Sequence, residues 1–247
     1  MIKLILLLTL SLLALSPLSL AETIDVQKIL EFSDRTRGGI DEGLEWTVNL
    51  TTAEDGETSE RRFFIKNKRE DSFVESMAPQ KYKGEVFVFN GRTIWFFKPG
   101  LRKPIAISSK QKLSGVASNG DIASTNYVRD YSGTFIKLEP IENEECYLLH
   151  LKSKANDTTY DQINYWVSKK SGLAIKSDFL SVSGKIMKTA FFKYQNKITY
   201  KNETYPFVSE MRIIDSKNSQ NQSTLIYSSP KIRNHSTSLF NVNNLVR

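Results

Sequence analysis

Reactive side chains are scarce in this sequence. Two histidines, His150 and His235, and one cysteine, Cys146, are its whole supply of imidazole and thiol. Two imidazoles do not make a multi-histidine metal site, and one thiol cannot make an internal disulfide. His150 stands between Leu149 and Leu151, in a strand context where a solvated or hydrogen-bonded imidazole is expected rather than a catalytic base. Glu142, Glu144 and Glu145 form an acidic cluster that reads as a solvated loop between two strands. No serine sits in a Gly-x-Ser-x-Gly elbow, and no glycine-rich phosphate loop follows a strand. Accordingly no catalytic residue, metal ligand or cofactor is nominated, and the chain is not expected to be an enzyme. Cys146, in Cys146-Tyr147-Leu148-Leu149, reads as a small core hydrophobe.

With chemistry this sparse, the elements themselves carry the information. The 247 residues are 40% hydrophobic, 25% charged and 11% aromatic, a globular profile that excludes a disordered, collagen-like or disulfide-dense protein. Lys and Arg exceed Asp and Glu by 34 to 27, a net charge of +7, which favours anionic surroundings. Lys3 precedes an apolar run over residues 4–15, and Ser19-Leu20-Ala21 supplies the small residues of a signal-peptidase site. The run is shorter than the roughly 20 residues needed to span a bilayer. Cleavage after Ala21 is expected, leaving residues 22–247 as a single domain, and export removes the chain from nucleic acid. Five Asn-x-Ser/Thr sequons, beginning at Asn49, Asn156, Asn202, Asn221 and Asn234, are too common in such a composition to identify a host.

Residues 22–37 have helical spacing and end at Gly38-Gly39. The period then changes to two: Leu44, Trp46, Val48 and Leu50 alternate with polar residues, as in a strand with one apolar face. Further strands are predicted over residues 61–66, 71–77, 85–89 and 93–97, the last two joined at Asn90-Gly91. They resume over 133–138, 146–152, 162–168, 173–182, 185–194 and 207–215, with a weaker one at 224–228. About 11 strands in meander order demand a strongly curved antiparallel sheet or barrel. The inner positions either fill a core or line a cavity for an apolar ligand; alternation alone does not separate the two. The cavity candidates are Trp46, Val48, Phe87, Phe89, Trp95, Tyr165, Phe179 and Met211.

Residues 109–130 do not alternate, and they fall within a distinctive block over 94–131. That block runs Ile94-Trp95-Phe96-Phe97-Lys98-Pro99-Gly100, Arg102-Lys103-Pro104-Ile105, Gly115-Val116-Ala117-Ser118-Asn119-Gly120-Asp121-Ile122-Ala123 and Asp130-Tyr131. This block resembles the central block of the outer-membrane lipoprotein-sorting family, the LolA-like proteins. Asp34-Arg35 and Lys83-Gly84 fit the same likeness, which extends loosely over most of the mature chain. The resemblance implies a mainly β, unclosed antiparallel half-barrel with an N-terminal helix and a short helical lid over a hydrophobic cavity for acyl chains. By the same analogy the lid spans Leu113 to Tyr127, with Leu113, Val116, Ile122 and Tyr127 as its candidate residues and Asp121 helping to begin its second short helix. An arginine near the cavity is also implied, with Arg35, Arg37, Arg61 and Arg62 as unranked candidates.

The function so implied is that of a periplasmic carrier that shelters the acyl chains of lipoproteins or other lipids on their way to the outer membrane. Its partners would be that lipid, a membrane-bound donor or acceptor protein, and a membrane met transiently. A lipid-responsive sensor or adaptor on the same scaffold is the alternative. The basic runs around Lys66, Lys68, Arg69, Arg102 and Lys103, and the lysines of residues 185–201, read as solvated faces and turns or as weak attraction to anionic head groups. An integral outer-membrane barrel would need a polar inside and an apolar outside, and the carboxyl terminus lacks the usual last amphipathic strand.

Overall fold

The computed structural model describes residues 24–123 and 126–245; the expected leader, with its expected cleavage after Ala21, lies outside them. Helix α1 (Val26–Arg35) is capped by Asp25, whose carboxylate accepts from the Lys28 amide. A first run of strands follows: β1 (Leu44–Glu54), β2 (Glu57–Lys68), β3 (Asp71–Ala78), β4 (Val86–Asn90), β5 (Thr93–Phe97) and β6 (Ile105–Ile107). The second run holds β9 (Tyr131–Ile141), β10 (Glu144–Ser153), β11 (Gln162–Ser168), β12 (Ala174–Leu180), β13 (Ile186–Lys193), β16 (Glu210–Asp215) and β17 (Gln222–Ile232). Between the runs lie a small hairpin of β7 (Lys112–Ser114) and β8 (Ala117–Ser118) and the one-turn helix α2 (Tyr127–Asp130). A second hairpin joins β14 (Asn196–Tyr200) to β15 (Glu203–Phe207).

The two runs make one antiparallel sheet of 13 strands, in the order β6-β5-β4-β3-β2-β1-β17-β16-β13-β12-β11-β10-β9. A sheet that wide must curl. It does so without closing, because β6 and β9 are its two free edges. The order is not the simple meander that consecutive strands suggested. The last strand returns beside the first, over the register Leu44↔Ile232 to Ala53↔Gln222, so both ends of the sheet are built mid-chain. Alternation set the faces: Leu44, Trp46, Val48 and Leu50 of β1 are buried while the residues between them are wet. Local turn chemistry set the registers. Asp55 and Gly56, at φ 51° and 86°, form the two-residue turn between Glu54 and Glu57. In the β4–β5 hairpin the pair inside the turn is Gly91-Arg92, closed by Asn90 opposite Thr93, one position on from the expected Asn90-Gly91.

Two strand readings change. The stretch 207–215 is broken at Val208-Ser209, where β15 ends and β16 begins. The β14–β15 hairpin went unread because its turn residues, Lys201 and Asn202, adopt positive φ without a glycine. The concave side holds one continuous apolar cluster running from Leu44 and Trp46 through Phe63, Phe87 and Ile163 to Phe207 and Tyr227. Cys146, Leu148 and Trp166 form a small separate cluster on the opposite face of β10 and β11, so Cys146 is buried outside the main interior. The apolar inside is the reverse of a transmembrane barrel's. Among the described residues no helix is long and apolar enough to cross a membrane.

Candidate functional site

The chain leaves the sheet at one edge, after β6, and must begin β9 at the other. Residues 108–123 and 126–130 make that crossing over the concave face, as a strap. At its middle the β7–β8 hairpin turns through Gly115, at φ 53°. A side chain there would come within 2.7 Å of both Thr52 and Ser223, so only glycine lets the turn lie this close to β1 and β17. The Val116 amide donates to Ser223 Oγ at 3.0 Å. From β13, Lys188 reaches up and donates to the Val116 carbonyl at 2.5 Å and to Ser118 Oγ at 2.7 Å.

Next along the strap, Ser118 and Asp121 cap a single 3₁₀ turn reciprocally. Asp121 accepts the Tyr160 hydroxyl on both oxygens at 2.8 Å, and Tyr160 stacks on Phe179 at 3.8 Å between ring centres. Burial pushes the Lys188 ammonium below its ordinary pKa, with Asp121 and Asp215 opposing. The far end of the strap is α2, capped by Asn126, whose side chain accepts from the Arg129 amide at 2.9 Å. Asp34 of α1 accepts the Val128 amide at 3.0 Å. Burial raises the Asp34 carboxyl to about 6, against the amides of Val128 and Tyr127 and the charge of Arg37. Outside, Arg92 and Arg129 pair with Asp130 at 3.0 and 2.7 Å.

The strap is therefore not the pair of short helices expected. It is a hairpin, a 3₁₀ turn and one helical turn, because Gly115 and Gly120 are spaced for close approach rather than for helix. Asp121 closes a capping box in place of starting a helix. Of the four residues named for the lid, Val116, Ile122 and Tyr127 are buried in the interior cluster, and Leu113 packs against it half-buried.

Of the eight cavity candidates, Trp46, Val48, Phe87, Phe89, Tyr165, Phe179 and Met211 all belong to that cluster. Trp95 does not. It stands on β5 between the inward Ile94 and Phe96, so its parity turns it to the other face. Among the arginines, Arg35 and Arg62 are exposed, while Arg37 and Arg61 are buried. Arg61 is consumed by an ion pair to Glu85 at 2.8 Å and by the Tyr82 ring at 4.1 Å. Arg37 lies under the strap against Tyr127.

Lys188 was hidden among lysines read as solvated. Its two-residue offset from the inward Ala190 and Phe192 is the signal that places it inside. An opening of about 380 Å³ lies beside the strap, lined by Val116, Ala117, Tyr160 and Met187 together with the charged Glu54, Lys112, Lys188 and Asp215; another, of about 480 Å³, is lined by Leu50, Arg61, Arg62 and Pro79 and includes no strap residue. Among the described residues no group of three or more His, Cys, Asp or Glu side chains is placed to hold a metal ion.

Three solved structures share this architecture. A LolA superfamily protein from Nitrosomonas europaea is 30% identical, with 90% of this chain and 100% of that chain covered, at a TM-score of 0.79. A structure described as an outer membrane lipoprotein-sorting protein domain from Vibrio parahaemolyticus is 19% identical over 90% and 98% of the two chains, at 0.74. A DUF1329 family protein from Desulfovibrio piger is 18% identical over 89% and 97%, at 0.72. A family profile described as uncharacterized protein matches residues 68–247. No protein of curated function matches.

Proposed function

The chain belongs to the LolA superfamily, and from that premise we propose that it is a periplasmic carrier of acyl chains, taken from lipoproteins or other lipids and delivered toward the outer membrane. It acts by binding, without covalent chemistry. The observation that carries this reading is the strap: an apolar interior is closed over by a short irregular segment held at its middle by a few polar contacts, chiefly Lys188 to Val116 and Ser118 and Tyr160 to Asp121.

Such a segment opens at low cost compared with any sheet strand. The interior beneath it includes Trp46, Val48, Phe87 and Phe89, with Phe179, Tyr165 and Met211 across from them. Each methylene moved from water into that interior is worth about 0.8 kcal/mol, so a single acyl chain outweighs the strap's polar contacts. Re-forming those contacts returns part of that energy and drives release to a membrane-bound acceptor. Native mass spectrometry with organic extraction, on protein purified from the periplasm without detergent, tests the reading. Bound lipid or acylated peptide is expected; an empty, well-folded protein under every loading condition would overturn it.

A further inference from the structure

Residues 79–108 hold six cations, Lys81, Lys83, Arg92, Lys98, Arg102 and Lys103, against one acid, Glu85. Glu85 is engaged by the buried Arg61 at 2.8 Å, and Arg92 by Asp130 at 3.0 Å. The other five cations are exposed, and among the described residues none of them makes an ion pair. The lysines that follow along the chain are paired, Lys110 with Asp161 and Lys112 with Glu54. The fold gathers the five from two connections. Val86 stands opposite Phe97, so the β3–β4 connection, residues 79–85, and the β5–β6 connection, residues 98–104, leave the same end of the sheet. The two touch there: a side chain on Gly84 would meet Pro99 at 3.3 Å. In the second connection the Leu101 amide donates to the Lys98 carbonyl at 3.1 Å, and Gly100 turns at φ 94°, leaving Lys98, Arg102 and Lys103 exposed around a tight turn. Apolar surface lies among these charges. Ile105, on the free edge strand β6, is 44% exposed, and Met77, at the end of β3, is 41% exposed. Pro99 is exposed, and Leu101 and Tyr82 are half-buried, with the Lys81 ammonium over the Tyr82 ring at 4.8 Å.

Resting on the carrier reading above for its purpose, we propose that this corner is the surface by which the protein docks on a bilayer containing anionic phospholipid. A basic patch interleaved with exposed apolar side chains matches such a surface on both counts. Each Lys or Arg near it adds about fivefold to binding. Ile105, Leu101 and Pro99 enter the headgroup boundary, where a ring such as that of Tyr82 also rests with its hydroxyl in the wet layer. A folded acidic protein fits less well, because tight protein contacts draw on ordered anchors seated in pockets. Among the described residues Lys83, Lys98, Arg102 and Lys103 make no side-chain hydrogen bond, and mobile cations suit a fluid surface of many equivalent charges. Strand β6 (Ile105–Ile107) leads directly into the strap, so contact here sets the strap's first residues against the bilayer that supplies or receives an acyl chain.

Vesicle flotation of protein purified from the periplasm tests this, with no acyl ligand added. The vesicles are phosphatidylcholine alone, or phosphatidylcholine with an equal part of phosphatidylglycerol. At low salt, binding to the mixed vesicles and not to the neutral ones is expected, weakening as salt rises. Arg102→Gln with Lys103→Gln should lower it about tenfold or more. Ile105→Ser should lower it about threefold without changing the salt dependence. Lys185→Gln with Lys217→Gln removes the same charge from two exposed turns elsewhere and should leave binding largely unchanged. An equal loss in that control assigns the attraction to net charge and overturns the docking site, as does equal binding to both vesicles or binding to neither. If the mixed vesicles are ignored while polyglutamate binds through Arg102 and Lys103, the partner is an acidic protein and the bilayer assignment falls. Protein that docks but never holds lipid overturns the carrier reading alone; protein that holds lipid without docking overturns this inference alone.

Discussion

The two walls of the interior differ in kind. The β1–β5 wall is mainly hydrocarbon, Trp46, Val48, Leu50, Phe63, Ile65, Val74, Phe87, Phe89 and Ile94, with its polar groups paired among themselves as Arg61 with Ser76 and Asn67 with Ser72. The facing side sets Tyr131, Tyr160, Tyr165, Tyr194 and Tyr227 among Leu149, Ile163, Phe179 and Ile213, with Tyr165, Tyr194 and Tyr227 within the field of Arg37. Phenol hydroxyls in a core need partners and restrict packing, whereas a wall of Phe, Val and Leu asks only for volume.

The largest effect that would sharpen the contrast lies on the hydrocarbon wall. Phe63→Ala, at a fully buried position, should cost about 3–5 kcal/mol by urea denaturation. It should weaken all acyl ligands alike; unchanged acyl affinity would break the contrast.

The next lies at the join of strap and α1. The Asp34 carboxyl, raised to about 6 from an ordinary 3.8, takes up a proton in the folded state before the unfolded one. Its stabilising contribution is complete below about pH 4 and is lost as pH rises through about 6. Relative to Asp34→Asn, the wild-type protein should therefore lose about 3 kcal/mol between pH 4 and pH 7. Parallel stability curves for the two proteins would remove Asp34 from the account.

Smaller again is Gly115→Ala. Its methyl would meet Thr52 and Ser223 at 2.7 Å at a positive φ, which should cost about 2 kcal/mol. Because the damage is confined to the strap, limited proteolysis near residue 115 should quicken far more than global unfolding does. Last, Tyr165→Phe removes the hydroxyl that bonds Ser33 and should cost about 1 kcal/mol.

The two walls were also unequally legible in the sequence. The hydrocarbon wall could be read directly, because β1, β4 and β5 alternate cleanly and burial follows alternation. Trp95 is the exception, an aromatic residue whose strand parity points it away from the interior it was expected to line. The hydroxylated wall was half-visible: Tyr165 and Phe179 were found by period, whereas Arg37 stood among four unranked arginines and Lys188 among surface lysines. Periodicity reports which face a residue is on, but it is silent on why a cation would be buried there. The strap's position was legible through the family likeness, yet its conformation was not, since short helices and a glycine-centred hairpin draw on the same small residues. The return of β17 beside β1 depends on long-range pairing, which local pattern does not encode.

Hydrogen exchange read by mass spectrometry over residues 108–130, with and without saturating oleate, tests the central claim most directly. If the strap is the gate of an acyl compartment, ligand should accelerate exchange in the strap while protecting β1–β5. Binding that leaves strap exchange unchanged would contradict the account.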